Sequence, residues 1–256
     1  MSIDEPVTEK NSASSRAVIE EVVKTVVYGF LFALIFRTFA YEPFNIPSES
    51  MLPNLLIGDY LFVAKYSYGY SHYSLPLSLP LFKGRVFASQ VTRGDIVVFK
   101  LPRDNKTVYI KRIVGIPGDR IQMIDGVLFI NGQEVRKERI KDFLVPDRFG
   151  NLRRFRQYRE TMPNGRSYTT LDTEESAADN TRIFVVPAGH YFAMGDNRDN
   201  SSDSRVANSG VGYIPAENLV GRAEVLFFST DGSARIWEFW RWIQATRFSR
   251  LFTVLH

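Results

Sequence analysis

A twenty-residue run, Val22 to Tyr41, stands near the start of the chain and carries charge only at Lys24 and Arg37. As a helix rising ~1.5 Å per residue it reaches about 30 Å, the hydrocarbon thickness of a bilayer. Its charge-free centre, Thr25 to Phe36, is short for a span, but basic side chains near the two ends can carry their charge out to the interfaces. A cleaved leader is one alternative, though Thr38-Phe39-Ala40 beside Arg37 makes a poor exit for one. A buried core helix is the other. The run is read as an uncleaved transmembrane helix over 21–41, behind a polar tail (1–20) whose first 15 residues are expected to be mobile. Lys10, Arg16 and Lys24 precede the charge-free centre and only Arg37 follows it closely. The N-terminus is therefore expected in the cytoplasm, with residues 42–256 outside and the lipid bilayer as a partner.

Composition narrows the chemistry. Among 256 residues the net charge is +4, too weak to argue for nucleic acid as a partner. There is no cysteine, which removes disulfides, thiol catalysis and Cys-based metal sites. Three histidines, His72, His190 and His256, leave little for a histidine metal cluster or triad.

After the anchor the texture turns to β. Tyr60–Val63, Ile96–Phe99 and Val108–Val114 read as strands, and Ile121–Ile124 with Val127–Ile130 flank Asp125-Gly126, the strongest hairpin signal in the chain. Arg93-Gly94-Asp95 reads as a strand-entry turn rather than an adhesion motif. Residues 68–94 are expected to form a long loop, unusually apolar at Leu75, Leu77, Leu79, Leu81 and Phe82, lying near a membrane or over a groove. From 137 to 182 arginines, acids and turn residues displace long apolar runs, which suggests an insertion with little core. Val185–Met194 and Leu219–Phe228 read as further strands. The tail holds Trp237, Trp240 and Trp242 with Arg241, Arg247 and Arg250; it suits a membrane interface or a core-packed helix equally. The expected fold is thus mainly β. An antiparallel β-domain is expected over 42–136 and 183–235, with a small subdomain inserted at 137–182 and an amphipathic aromatic and basic tail at 236–256.

Three stretches could carry chemistry. Phe44 to Pro53 sets Ser48 and Ser50 between Pro47 and Pro53, an extended, stiff display of hydroxyls. Lys111 sits mid-strand between Tyr109 and Ile113 on one face. Apolar burial penalises its charge, and lowering it from about 10.4 to near 7–8 takes roughly 4 kcal/mol, within reach of desolvation. A neutral amine could take a proton from a serine, whereas the guanidinium of Arg112 could not. Gly195 to Arg205 is the most polar stretch. Read as a calcium loop from Asp199 it has Ser204 where Gly is needed and Gly210 where Glu is needed; from Asp196 it has Arg198 at the third place. A self-paired loop fits better, with Asp203 and Arg205 fixing a backbone that presents Ser201 to orient a neighbouring amine. The Ser-x-x-Lys signature fails, because Met51 and Pro53 stand three after Ser48 and Ser50. A triad through His190 is disfavoured by its strand position.

Taken together, Ser48-Glu49-Ser50-Met51 behind an apolar segment, Tyr109 to Asp119, and Gly195 to Arg205 resemble bacterial type I signal peptidases, the leader peptidases. The resemblance covers the anchor and most of 42–135 and 183–228. It implies a Ser-Lys dyad, with Ser50 as nucleophile and Lys111 as general base. It implies an oxyanion hole from the Ser50 N–H and the Ser48 hydroxyl, with Ser201 holding the lysine and Asp203 and Arg205 supporting the loop. Shallow substrate pockets would map onto Phe44, Ile46, Met51, Leu55, Leu61, Val98, Tyr109 and Ile110, fitting the Ala-x-Ala cleavage region of preprotein signal peptides. No cofactor and no metal are implied. The implied location is the bacterial cytoplasmic membrane, single-pass, with the catalytic domain on the outer face. Many members carry Gly where this chain has Glu49, whose side chain is expected to point away from the dyad. Two other readings stand beside this one: a Ser-Lys protease dedicated to a pilus or conjugation substrate, and a non-catalytic tethered β-domain that binds peptides.

Overall fold

Two β-branched, apolar stretches, Ile96–Lys100 and Val108–Gly115, pair antiparallel at the centre of the molecule, with Val97 opposite Lys111. The structure is a computed structural model describing residues 7–75, 78–146, 151–206, 209–235 and 237–255. In chain order the helix α1 (Val7–Phe39) leads into β1 (Tyr41–Asn45), β2 (Asp59–Ala64), β3 (Ile96–Lys100), β4 (Val108–Gly115), β5 (Arg120–Ile124), β6 (Val127–Ile130) and β7 (Gln133–Glu134). Then come β8 (Arg136–Arg139), β9 (Phe143–Pro146), β10 (Leu152–Phe155), β11 (Gln157–Thr161), β12 (Ser167–Leu171), β13 (Phe184–Val185), β14 (His190–Met194), β15 (Ile214–Pro215) and β16 (Leu219–Ser229), with β17 (Thr253–Val254) last. The main sheet runs β1-β2-β16-β3-β4-β14-β15, with β17 added on β16. Every pairing in it is antiparallel, so the mainly β expectation holds.

The Asp125-Gly126 hairpin forms as read: φ is +46° and +73° at its two central residues, joining β5 to β6. The strand expected over Val185–Met194 is broken into β13 and β14. Pro187 offers no N–H to a ladder, and Gly189 turns the chain at φ +71°.

Segment 137–182 holds more structure than its polarity suggested. It supplies the three-stranded sheet β12-β11-β8 and the hairpin β9-β10. Met162 and Tyr168 join a buried cluster with Val114, Ile121 and Phe192, so the segment shares core with the main sheet. Residues 68–94 are mostly irregular, as expected, but Arg85 stitches them down with bonds to the carbonyls of Tyr68, Ala216 and Leu219. The tail forms short turns and β17 rather than one helix. Arg250 holds Asp59 at 2.6 Å, while Trp237 and Trp240 stay largely exposed. Pro6, Leu77, Ile236 and His256 lie outside the described residues.

The helix begins at Val7, not near residue 21, so the tail expected to be mobile is helical from there on. Residues 17–37 are exposed all round, including Val26, Phe30, Phe32 and Ile35. Among the described residues no helix is long and apolar enough to cross a membrane.

Candidate active site

After β1 the chain makes a single 3₁₀ turn, Glu49–Met51. An extended segment was expected here; Ser48 is extended (φ −132°, ψ 160°), but Glu49–Met51 is not. The chain tightens beyond it because Met51, Leu52 and Leu55 are drawn fully into the core. That pull leaves Ser50 at the core's edge, 8% exposed.

Lys111 reaches the same point from β4 and is 3% exposed. Its Nζ lies 2.6 Å from Ser50 Oγ and donates to the Ile110 carbonyl at 3.1 Å. The Tyr109 ring lies 5.5 Å from it. Burial pushes the amine down to about 8; the carboxylates of Asp203 and Asp196 pull the other way, more weakly. At that value roughly one amine in ten is neutral at pH 7.

The polar loop closes behind this pair. Asp203 accepts from the Gly195 N–H at 2.9 Å and holds Arg205 at 2.9 Å, both side chains being out of contact with solvent. Burial works against the Asp203 charge, but Arg205 and the N–H groups of Gly195 and Arg205 outweigh it and the carboxyl is held low. Asp203 and Arg205 thus brace each other and the backbone at Gly195. Ser201 does not make the contact expected of it. Its hydroxyl is buried without a hydrogen-bond partner, and the lysine bonds Ser50 and Ile110 instead. Ser201 packs on Gly195 so closely that a Cβ there would lie 2.2 Å from Ser201 Oγ and 2.5 Å from the Ser50 carbonyl oxygen.

Ser48 Oγ lies 3.4 Å from Ser50 Oγ, on the open side. A groove of about 400 Å³ runs past them, walled by Glu49, Tyr109, Ile110, Asn200 and Ser202. Ile46, Met51, Leu55, Leu61 and Val98 form one buried cluster, with Phe44 and Ile110 packed against it. Of the eight expected substrate contacts, Tyr109 and Ile110 thus line the groove and Phe44 lines an adjoining cavity of about 310 Å³. The other five are closed off from solvent and do not line the groove. Glu49 turns toward Arg153 (3.0 Å) and Asn200 (3.3 Å), not toward the lysine. His190 bonds the Ala188 carbonyl and takes no part in the groove.

One strand edge bears on what the groove can hold. On one side β4 pairs with β3 along Val108–Arg112, but on the other it meets β14 only from Arg112 onward. Among the described residues no strand covers Val108–Lys111 on that side, beside Ser50. An extended peptide could add there.

Several residues of the site were not singled out from the sequence. Asn197 donates from its N–H to the Ser50 carbonyl (3.1 Å) and from Nδ2 to the Glu49 carbonyl (3.2 Å). Asp196 receives both Nε and Nη2 of Arg112, at 2.8 and 2.9 Å, and Nδ2 of Asn54 at 2.7 Å. Glu160, from segment 137–182, holds Arg198 at 2.6 Å. For Glu160 and Asn54 no local pattern exists to find; their partners in the polar loop, Arg198 and Asp196, are over 30 residues away.

Comparison with known proteins gives a consistent picture. Residues 19–228 match the family model described as "Signal peptidase, peptidase S26". The chain is 38% identical over 265 residues to a signal peptidase I of Rickettsia typhi, covering 96% of this chain and 98% of that one. It is 39% identical over 251 residues to the signal peptidase I of Rickettsia canadensis, covering 91% and 92%. A crystal structure of a signal peptidase I from Enterococcus faecalis aligns at 25% identity and a TM-score of 0.32, over 52% of this chain and 97% of that chain.

Proposed function

The chain belongs to the signal peptidase family, peptidase S26, and is a serine-type peptide hydrolase; from that premise we propose that it removes signal peptides from exported preproteins by a Ser50–Lys111 dyad. The observation that carries this reading is the 2.6 Å approach of a buried, acid-shifted amine to a buried serine hydroxyl. The neutral Lys111 amine takes the Ser50 proton as Oγ attacks the scissile carbonyl carbon. The oxygen of that carbonyl becomes an oxyanion, stabilised by the Ser50 N–H and the Ser48 hydroxyl. Collapse breaks the C–N bond, and the Lys111 ammonium gives its proton to the departing amine. Water, deprotonated by the same amine, then releases the acyl group and restores Ser50.

Shape supports a preference for Ala-x-Ala. A peptide paired along Val108–Lys111 would set its side chains against Tyr109 and Ile110, and Ile110 packs on the filled cluster of Met51, Leu55 and Val98, which favours small groups. We infer further that the apolar half of α1 seats the enzyme in the bacterial cytoplasmic membrane with its N-terminus inside. What supports this is the exposure of residues 17–37 and the basic residues Lys10, Arg16 and Lys24 on the N-terminal side. Protease protection in spheroplasts tests it: residues 42–256 should be cut from outside, and cleavage only after lysis would refute the topology.

The test of the activity is cleavage of a preprotein whose leader ends in Ala-x-Ala by the purified full chain, with Ser50→Ala and Lys111→Ala in parallel. Both variants should be inactive. Wild-type cutting of one pilus or conjugation substrate alone would favour a dedicated peptidase, and binding of peptides without cleavage would favour a non-catalytic module.

A further inference from the structure

Glu160 takes no part in the chemistry above, yet it is completely buried, on β11 of the inserted sheet. Its Oε2 meets Arg198 Nη2 at 2.6 Å and accepts the Tyr168 hydroxyl at 2.8 Å. Burial works against the charge of Glu160, but Arg198 and Tyr168 outweigh it and the carboxyl is held low. Arg198 belongs to the polar loop and makes two bonds within it: Nε donates to the Gly195 carbonyl (3.2 Å), and its own carbonyl accepts Arg205 Nη2 (2.7 Å). The same sheet grips the loop through its backbone. The Arg198 N–H donates to the Leu171 carbonyl and the Leu171 N–H to the Asp196 carbonyl, a parallel bridge onto the end of β12. The loop in turn reaches the nucleophile through the Asn197 bond to the Ser50 carbonyl and the tight seat at Gly195.

We propose that Glu160 is a positioning residue: through Arg198 the inserted sheet fixes the polar loop, and the loop fixes Ser50 against Lys111. The inference rests on the Ser50–Lys111 reading. A guanidinium fork between a carboxylate and a carbonyl sets a direction as well as a separation, which an apolar pair of equal volume would not. The inserted segment thereby serves the reaction from a distance, without touching substrate.

The experiment measures steady-state cleavage of a preprotein by the full chain, with thermal unfolding recorded for every variant. Glu160→Gln should lower kcat by about tenfold to a hundredfold, the scale of loss a small misplacement of reacting groups produces. KM should stay within about twofold, since no groove residue changes. Glu160→Asp should recover part of the lost kcat. The charge-neutral pair Glu160→Leu with Arg198→Met keeps the volume and removes the fork; it should fold and show the same loss in kcat. If Glu160→Gln fails to fold, this pair decides. Wild-type kcat in a folded variant, a loss confined to KM, or failure of both variants to fold would each overturn the proposal. Ser50→Ala and Lys111→Ala run alongside: if they still cleave, the dyad reading fails and this inference falls with it, whereas inactive dyad variants beside fully active Glu160 variants refute this inference alone.

Discussion

The backbone N–H of Asn197 donates to the carbonyl of Ser50 at 3.1 Å, and its side chain reaches the carbonyl next door on Glu49. One residue of the polar loop thus clasps both peptide groups at the reactive turn. The turn comes from β1 and the lysine from β4, and the loop is what joins the two. The consequences of that join can be measured.

Because burial pushes the Lys111 amine down to about 8, activity should climb roughly tenfold per pH unit below that value and level off above it. The sign follows from the role: a protonated amine cannot accept the Ser50 proton. A profile of kcat/KM from pH 5 to 10 checks this, and a flat profile would remove Lys111 as the base.

The same shift affects stability. The lysine titrates near 8 in the folded chain and at 10.5 in the unfolded one, so between those values the unfolded chain holds more protons. Stability from this group therefore rises with pH across that window, and burial is most costly below pH 8. Lys111→Met should be more stable than wild type at neutral pH, by on the order of 2 kcal/mol, and lose the advantage near pH 10. Urea titrations at the two pH values would show it; equal differences at both would contradict it.

Gly195→Ala should damage both fold and activity. The added methyl would lie 2.5 Å from the Ser50 carbonyl oxygen, a backbone atom that cannot swing away. Overpacking of this kind typically costs about 1–3 kcal/mol, and shifting the Ser50 turn should lower kcat more than tenfold. Denaturation midpoints and kcat together test this; a variant unchanged in both would mean the loop seats Ser50 less tightly than the geometry indicates.

Glu49→Gly should change little. The ion pair with Arg153 is partly exposed, and such pairs contribute about 0–1 kcal/mol. Activity within about twofold of wild type is expected. A large loss would show that the carboxylate acts on the dyad despite facing away from it.

Much of this arrangement could be read from residue order. The strand that carries Lys111 announces itself by its β-branched run, and the Asp125-Gly126 turn by its need for positive φ, whereas β1 before Ser50 has no β-branched residue and does not read as a strand. Alternation placed Lys111 on one face with Tyr109 and Ile113, but β4 is buried continuously from Lys111 to Gly115, and only the family resemblance singled the lysine out. What escaped was of two kinds. Ser50 lies in a 3₁₀ turn rather than an extended segment because the core draws Met51 inward, a tertiary pull that two prolines do not reveal. Glu160 and Asn54 are ordinary polar residues until folding sets them against Arg198 and Asp196. Segment 137–182 looked poor in core because its buried residues, Met162, Tyr168 and Leu171, are scattered among charges. Ser201 followed the general logic of a nucleophile, a base and an orienting group, but in this structure its hydroxyl rests on Gly195.

The uncovered side of β4 from Val108 to Lys111 has a bearing on inhibitor design. A strip of amides and carbonyls carries no preference for any side chain, so whatever lies along it is gripped by groups that every polypeptide owns. Discrimination is then left to the few ångströms around the bond being cut. A tight blocker of this groove would accordingly be a rigid main-chain isostere with the smallest of substituents, its affinity coming from pre-set shape rather than bulk.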